Sequence, residues 1–210
     1  ETSASSMYSF ETAYGEAYRV IHKCNTLLNR LDEAKDMTAS ERGYVIANAR
    51  FIRAYNYYKL LINFGPPIIV GEEVLPSNET LEYYDRPRST FDEAVEYISS
   101  EFEAAAIALP VSLPIVEFGR PTKGAALGLL ARLRLYHASP LYNGGSIART
   151  CFGTWQRTVD GADYVSLQYD EKRWAIAAAA AKRVMDLKDA GLPAFKLHTV
   201  EADSETPKLP

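Results

Sequence analysis

The sequence predicts an all-α protein made of tetratricopeptide-like helical hairpins with long inserted loops. Three observations carry that prediction: apolar residues recur at steps of three and four through most of the chain, capping-box and Gly-Pro signals punctuate those stretches, and strand-type alternation is scarce. A first long helix is expected from about Ser9 to Leu31 on the stripes Tyr14, Tyr18, Ile21, Leu28 and Val20, Cys24, Leu27, Leu31. Thr38-Ala-Ser-Glu41 is a capping box for a second helix, which closes a hairpin with the first and ends at Asn63-Phe64-Gly65-Pro66-Pro67. That helix contains ARFIRAYNYYKLL, where Phe51, Tyr55, Tyr58 and Ile62 form one apolar row and Ala47, Ala54, Tyr57, Leu61 and Phe64 a second, so it should be sandwiched between neighbours.

Residues 67–70 are extended at most. Ser89 with Asp92, or Thr90 with Glu93, opens a third helix with Phe91, Val95, Ile98, Phe102, Ala105 and Leu109 inward and Asp92, Glu96, Ser99 and Glu103 toward water. Pro121 begins a fourth, whose small residues Gly124, Gly128 and Ala131 predict a close neighbouring helix. After Pro140 comes a loop of about thirty residues, long enough to suggest a functional role. A fifth helix starts near Asp170, with Trp174, Ala177, Ala178, Ala181 and Met185 inward, and stops at Gly191-Leu-Pro193. We read residues 1–198 as one helical domain and 199–210 as a polar tail or cut connection. Ala47-Phe51-Ala54 and Ala131-Leu135-Ala138 fit the second helix of a tetratricopeptide hairpin, although the repeat length does not fit.

At 210 residues, 47% hydrophobic and 24% charged, the chain can bury one substantial core and reads as water-soluble as given. With 23 basic residues interleaved among 27 acidic ones and a net charge of -4, no nucleic-acid surface is expected. No run approaches the roughly 18 apolar residues of a membrane span. The chain starts at Glu1 with no signal-type segment, so any export signal was removed or lies outside the sequence. Cys24, on an apolar stripe, is read as a buried thiol, with a long-range disulfide to Cys151 as the alternative.

The sequence holds little that suggests catalysis. His22, His137 and His198 lack a second ligand at helical spacing, and no nucleophile elbow is present. Gly119-Arg-Pro-Thr-Lys-Gly124 has phosphate-loop glycine spacing, but Ala125 and Ala126 stand where Lys and Ser or Thr are required. Acid pairs such as Glu72-Glu73 and Asp92-Glu93 are adjacent in sequence rather than set across a cleft. We expect no enzyme, no cofactor and no metal.

An ordered set of segments resembles the SusD/RagB family: Tyr18-Arg-Val-Ile-His-Lys-Cys-Asn25-Thr-Leu-Leu28, then Ala49-Arg50-Phe51-Ile52-Arg53-Ala54-Tyr55 leading into Asn63-Phe64-Gly65-Pro66-Pro67, Arg88-Ser89-Thr90-Phe91-Asp92-Glu93, Gly119-Arg120-Pro121-Thr122-Lys123-Gly124, Ala131-Arg132-Leu133 and Ala138-Ser139-Pro140-Leu141-Tyr142-Asn143-Gly144-Gly145. The turn Gly65-Pro66-Pro67 is shorter than the family's usual one. The resemblance implies a surface-exposed outer-membrane lipoprotein of glycan-foraging bacteria. Such a protein lids a TonB-dependent SusC-type transporter and helps capture oligosaccharides. It also implies that this chain is the scaffold half, without the lipidated cysteine that anchors the family to the membrane and without much of the glycan surface. In isolation it should be a monomer that binds oligosaccharide weakly or undetectably.

Any glycan contact kept in this half is expected in the loops. Sugars offer apolar C-H faces and many hydroxyls, so a site needs an exposed ring with amide, carboxylate or guanidinium groups around it. Residues 141–170 offer Trp155 with Tyr142, Asn143, Gln156, Arg157 and Asp160, and residues 70–88 offer Tyr83, Tyr84, Asp85 and Arg86. Trp155 is either a stacking platform or an inward anchor of its loop. Two other functions remain open. A peptide-binding tetratricopeptide adaptor could use Asn48, Asn56, Lys59 and Asn63, and a helical glycosidase would need facing carboxylates.

Overall fold

The computed structural model describes residues 8–197, with side chains from residue 12 onward; the polar tail expected from Thr199 lies outside the described residues. Seven α-helices are found among those residues: α1 (Tyr8–Arg30), α2 (Ala39–Phe64), α3 (Leu81–Tyr84), α4 (Phe91–Ala108), α5 (Lys123–Ala138), α6 (Gly145–Phe152) and α7 (Lys172–Met185). Among the described residues the fold is all-α apart from one antiparallel hairpin of two-residue strands, β1 (Lys188–Asp189) with β2 (Leu192–Pro193). The long helices stack in chain order, α1 on α2, α2 on α4, α4 on α5 and α5 on α7.

The helix boundaries follow local chemistry. Thr38 caps α2 and Thr90 caps α4, each hydroxyl accepting from the backbone N–H of a glutamate whose carboxylate returns to the cap, so Thr90-Glu93 rather than Ser89-Asp92 is the box. Gly65 ends α2 at φ 76°, donating its N–H to the Leu61 carbonyl. Helix α5 begins at Lys123 under a Thr122 cap, two residues later than the proline suggested.

Helix α2 lies between α1 and α4 as expected, but its two apolar rows are not equally buried. Ala47, Ala54, Tyr57, Tyr58, Leu60 and Leu61 are in the core, whereas Phe51 is half-buried and Tyr55 and Ile62 are exposed. The inward row of α4 is wholly buried, yet Ser99 and Glu101 are buried too. A helix held between α2 and α5 has little circumference left for water.

Two expectations are corrected. Helix α7 is rotated from the predicted face: Arg173, Ala177 and Ala180 are buried, while Trp174, Ala178, Ala181 and Met185 face outward. The run Ala177–Ala181 is equally apolar on every side, so the orientation is set by Arg173 reaching Asp92 of α4 at 2.8 Å. The space beside Gly124 is filled by Phe195, whose ring carbon lies 2.5 Å from where a Cβ would stand, and nothing lies within 4 Å of that position at Gly128. Helix α5 does pack closely on α7, but the space at Gly124 itself is taken by a returning segment.

Candidate functional site

The loop between α2 and α4 is fixed by side chains of the helix stack instead of by strand pairing. Tyr18 Oη donates to the Ile68 carbonyl (3.1 Å) and accepts its N–H (2.9 Å), and Tyr57 Oη accepts the Val70 N–H at 3.0 Å. Asn25, fully buried, donates to the carbonyls of Gly71 (3.1 Å) and Glu73 (2.8 Å). Its own carbonyl accepts from Arg53 Nη1 at 2.8 Å, and Arg53, with no exposed surface, pairs with Glu101 at 2.7 Å. Burial pushes the Tyr57 phenol up to about 12, and it stays protonated at neutral pH.

Beyond Glu73 the loop is held by its own side chains. The Glu73 carboxylate accepts from Tyr83 Oη (2.9 Å) and from Arg86 Nη1 (2.7 Å) and Nη2 (3.1 Å), and the Arg86 guanidinium lies 5.6 Å from the Tyr83 ring centre. The hydrogen bond from Arg86 holds Glu73 below the usual carboxylate range. Tyr84 Oη donates to the Pro76 carbonyl and accepts the Glu79 N–H. Tyr83, Tyr84 and Arg86 thus shape the loop, leaving Asp85 exposed with no ion-pair partner among the described residues.

The long loop is ordered from its first residues. Tyr142 stacks on Phe91 at 4.1 Å and 4° and is half-buried. Asn143 is fully buried; its amide donates to the carbonyls of Asp170 (2.9 Å) and Ala138 (3.3 Å), and its oxygen accepts the Asp170 N–H at 3.0 Å. One side chain therefore fastens both ends of the loop. Asn143 is thus committed to closing the loop, and Tyr142 places one ring face on Phe91.

Helix α6 carries the chain to a turn that presents residues 155–164. Tyr164 donates its N–H to the Trp155 carbonyl (3.1 Å), Arg157 to that of Ala162 (2.8 Å), and Phe91 at the start of α4 to that of Tyr164 (2.7 Å). Trp155 packs on Tyr164 with ring centres 4.6 Å apart and reaches toward Gly65, while remaining 36% exposed. It thus packs within its loop while keeping part of its ring open to solvent. Gln156 donates to Asp163 at 2.9 Å.

Arg157 has all five guanidinium N–H groups engaged. Nε and Nη2 meet Asp160 (2.9 and 2.7 Å), Nη1 and Nη2 meet Glu93 (2.7 and 3.1 Å), and Nη1 also meets the Arg88 carbonyl (3.3 Å). Asp160 is held down to about 2 by Arg157 and then by the Ala162 N–H, and Glu93 is lowered chiefly by Arg157.

The two loops meet in an open cleft of about 400 Å³ lined by Asp85, Pro87, Arg157, Thr158, Val159 and Tyr164. It brings together Asp85 and Arg157 from the expected residues, with Trp155 adjoining through Tyr164. A second groove, about 560 Å³, runs between α1 and α2 along Val20, Cys24, Leu27, Val45 and Ile52 and is mainly apolar. The asparagines considered for peptide binding are turned to their own helix: Asn48, Asn56 and Asn63 donate to the carbonyls of Tyr44, Ile52 and Lys59 at 2.8 to 2.9 Å. Cys24 is buried and Cys151 exposed, and both are free thiols.

The sequence leads one to expect the stems of Arg50 and Arg53 to pack and their guanidinium groups to reach carboxylates or helix ends, and both reach Glu101; Asn25 is the member of the Asn25-Arg53-Glu101 network that sequence reasoning did not foresee. The network's signal was present in two arginines set among rings on a helix predicted to be sandwiched, where a buried guanidinium requires a buried acid.

The sequence matches a family model, SusD-like, described as starch-binding associating with outer membrane, over residues 1–135. That span includes Asp85 and Pro87 and stops before Arg157. Comparison with curated proteins finds no match. Among solved structures, BT4246 is 29% identical with a TM-score of 0.70, covering 82% of this chain and 29% of that one. A SusD-like carbohydrate-binding protein, BF0978, from Bacteroides fragilis is 30% identical with a TM-score of 0.54, over 62% of this chain and 25% of that one. Surface glycan-binding protein A from Bacteroides uniformis shares the fold at 22% identity and a TM-score of 0.60, over 90% of this chain and 33% of that one. The chain thus spans less than a third of the length of BT4246. With the family model matched from before α1 into α5, and with the helix stack shared with these structures, the chain belongs to the SusD-like family.

Proposed function

We propose that this chain is the helical scaffold portion of a surface glycan-binding protein and that it contacts oligosaccharide in the cleft between residues 70–88 and 141–170. The observation that carries the reading is the meeting of these two loops around an exposed carboxylate, Asp85, beside the partly open Trp155-Tyr164 ring pair. Rings flanked by polar groups suit the alternating apolar and hydroxyl surfaces of a sugar. The starch-binding description of the family and the carbohydrate-binding title of BF0978 support it.

The role is capture, not catalysis. Glu93 and Asp160 are both held ionised by Arg157, so neither is poised to donate a proton to a glycosidic oxygen near neutral pH. Family membership supports a wider assembly that we propose: a lipid-anchored protein at the outer-membrane surface, presenting captured glycan to a TonB-dependent SusC-type transporter. No helix among the described residues is long and apolar enough to cross a membrane.

Titration of the chain with maltohexaose, followed residue by residue by NMR, tests the site. Shifts confined to residues 83–88 and 155–164, lost in Trp155→Ala while the fold persists, are expected. Shifts confined to the α1/α2 groove, or no shifts even at about tens of millimolar glycan, would overturn it. Co-purification of the membrane-attached protein with a TonB-dependent transporter checks the partner.

A further inference from the structure

The charge arrangement of the cleft specifies a class of glycan. We infer that the cleft selects neutral oligosaccharides and rejects uronate-bearing or sulfated ones, an inference that rests on the cleft being the glycan site. Arg157 is the one basic side chain in the lining, and an arginine facing a sugar site is ordinarily the group that recognises a carboxylate or sulfate. Here it has nothing left to offer. Each of its five N–H groups already meets an acceptor, from Asp160, Glu93 or the Arg88 carbonyl, and its side chain is 14% exposed.

The surrounding charge points the same way. Asp85, Glu93 and Asp160 set three carboxylates against that single guanidinium, and Asp85 is exposed without an ion-pair partner among the described residues. The nearby arginines are directed elsewhere: Arg86 is paired with Glu73, and Arg88 donates to the Phe64 carbonyl at the end of α2. An anionic sugar would enter a field of net negative sign and find no unsatisfied cationic donor, whereas hydroxyls can donate to Asp85 and exchange with Thr158.

The test titrates the chain with maltohexaose and with hexagalacturonate at matched concentration, reading NMR shifts of residues 85 and 157–164. Maltohexaose should bind at least about tenfold more tightly. Raising the salt concentration should strengthen hexagalacturonate binding, because screening relieves repulsion. Asp160→Asn, a change at an exposed position, frees Arg157 donors and removes a charge, so it should raise the affinity for hexagalacturonate relative to maltohexaose several-fold. Hexagalacturonate binding as tight as maltohexaose, weakening of its binding by salt, or an unchanged ratio in Asp160→Asn would each overturn the inference. Absence of shifts with either sugar would instead remove the cleft as a glycan site, and this inference with it.

Discussion

Arg53 carries a full charge at a position with no exposed surface, and the molecule tolerates it because Glu101, itself 4% exposed, and Asn25 satisfy the guanidinium. A buried pair of this kind contributes little net stability against apolar residues of the same shape, but breaking it is costly. Arg53→Met should therefore lose about 3 kcal/mol in urea denaturation, since it leaves the buried Glu101 with only the half-buried Arg50, at 3.0 Å, as a charged partner. The double variant Arg53→Met, Glu101→Leu should recover most of that loss; a double variant as unstable as the single would contradict the argument. The tyrosines divide in the same way by environment. Tyr57 is fully buried and Tyr55 is 42% exposed. Tyr57→Ala should lower stability by about 3 to 5 kcal/mol, and Tyr55→Ala by about 1 kcal/mol or less, which thermal denaturation of the two variants would resolve.

The long loop is the element most dependent on particular backbone positions. Gly144 sits at φ 67°, and a Cβ there would lie 2.3 Å from the Gln168 backbone carbon. Gly144→Ala should force apart the two strands of chain that Asn143 holds together, costing about 1 to 3 kcal/mol or more and raising hydrogen exchange in residues 143–170 ahead of the helices. The 155–164 segment is also tied down by charge. Asp160 and Glu93 have folded-state pKa values below their unfolded ones, so their contribution is fully present above those unfolded values, 3.8 for Asp160 and 4.5 for Glu93. It is lost as pH falls toward the folded Asp160 value of about 2. Acid titration should release the loop in that window. Loss of the Trp155 near-ultraviolet signal before loss of helical circular dichroism would show it, and a coincident loss would count against local release.

Taken whole, the molecule is a stack of helices with loops on its flank, and much apolar surface stays uncovered. Ile115, Val116 and Phe118 are 88 to 92% exposed, and Trp174, Ile176 and Met185 line the outer side of α7. The cleft is open and touches few groups, so we expect this chain to be a monomer in isolation and to bind oligosaccharide only weakly. Calorimetry should give dissociation constants no tighter than about the millimolar range for maltohexaose, near -4 kcal/mol. Submicromolar binding would mean that the cleft is already a complete site.

The sequence alone determined the inward row of α4, the sandwiching of α2, the capping boxes at Thr38 and Thr90 and the family, because those depend on residues within one turn of each other or on ordered short segments. The loops Tyr83-Tyr84-Asp85-Arg86 and Trp155-Gln156-Arg157 were recognisable as polar and aromatic, but their roles were not. Tertiary structure decided that Asn143 closes its loop, that Tyr142 lies on Phe91, that Arg157 is spent on Glu93, and that the alanine-rich α7 turns on Arg173. The physical reason is range. Periodicity reports which side of a helix avoids water, but a partner 64 or 81 residues away in sequence is chosen by which helices stack, and that choice leaves no local periodic mark.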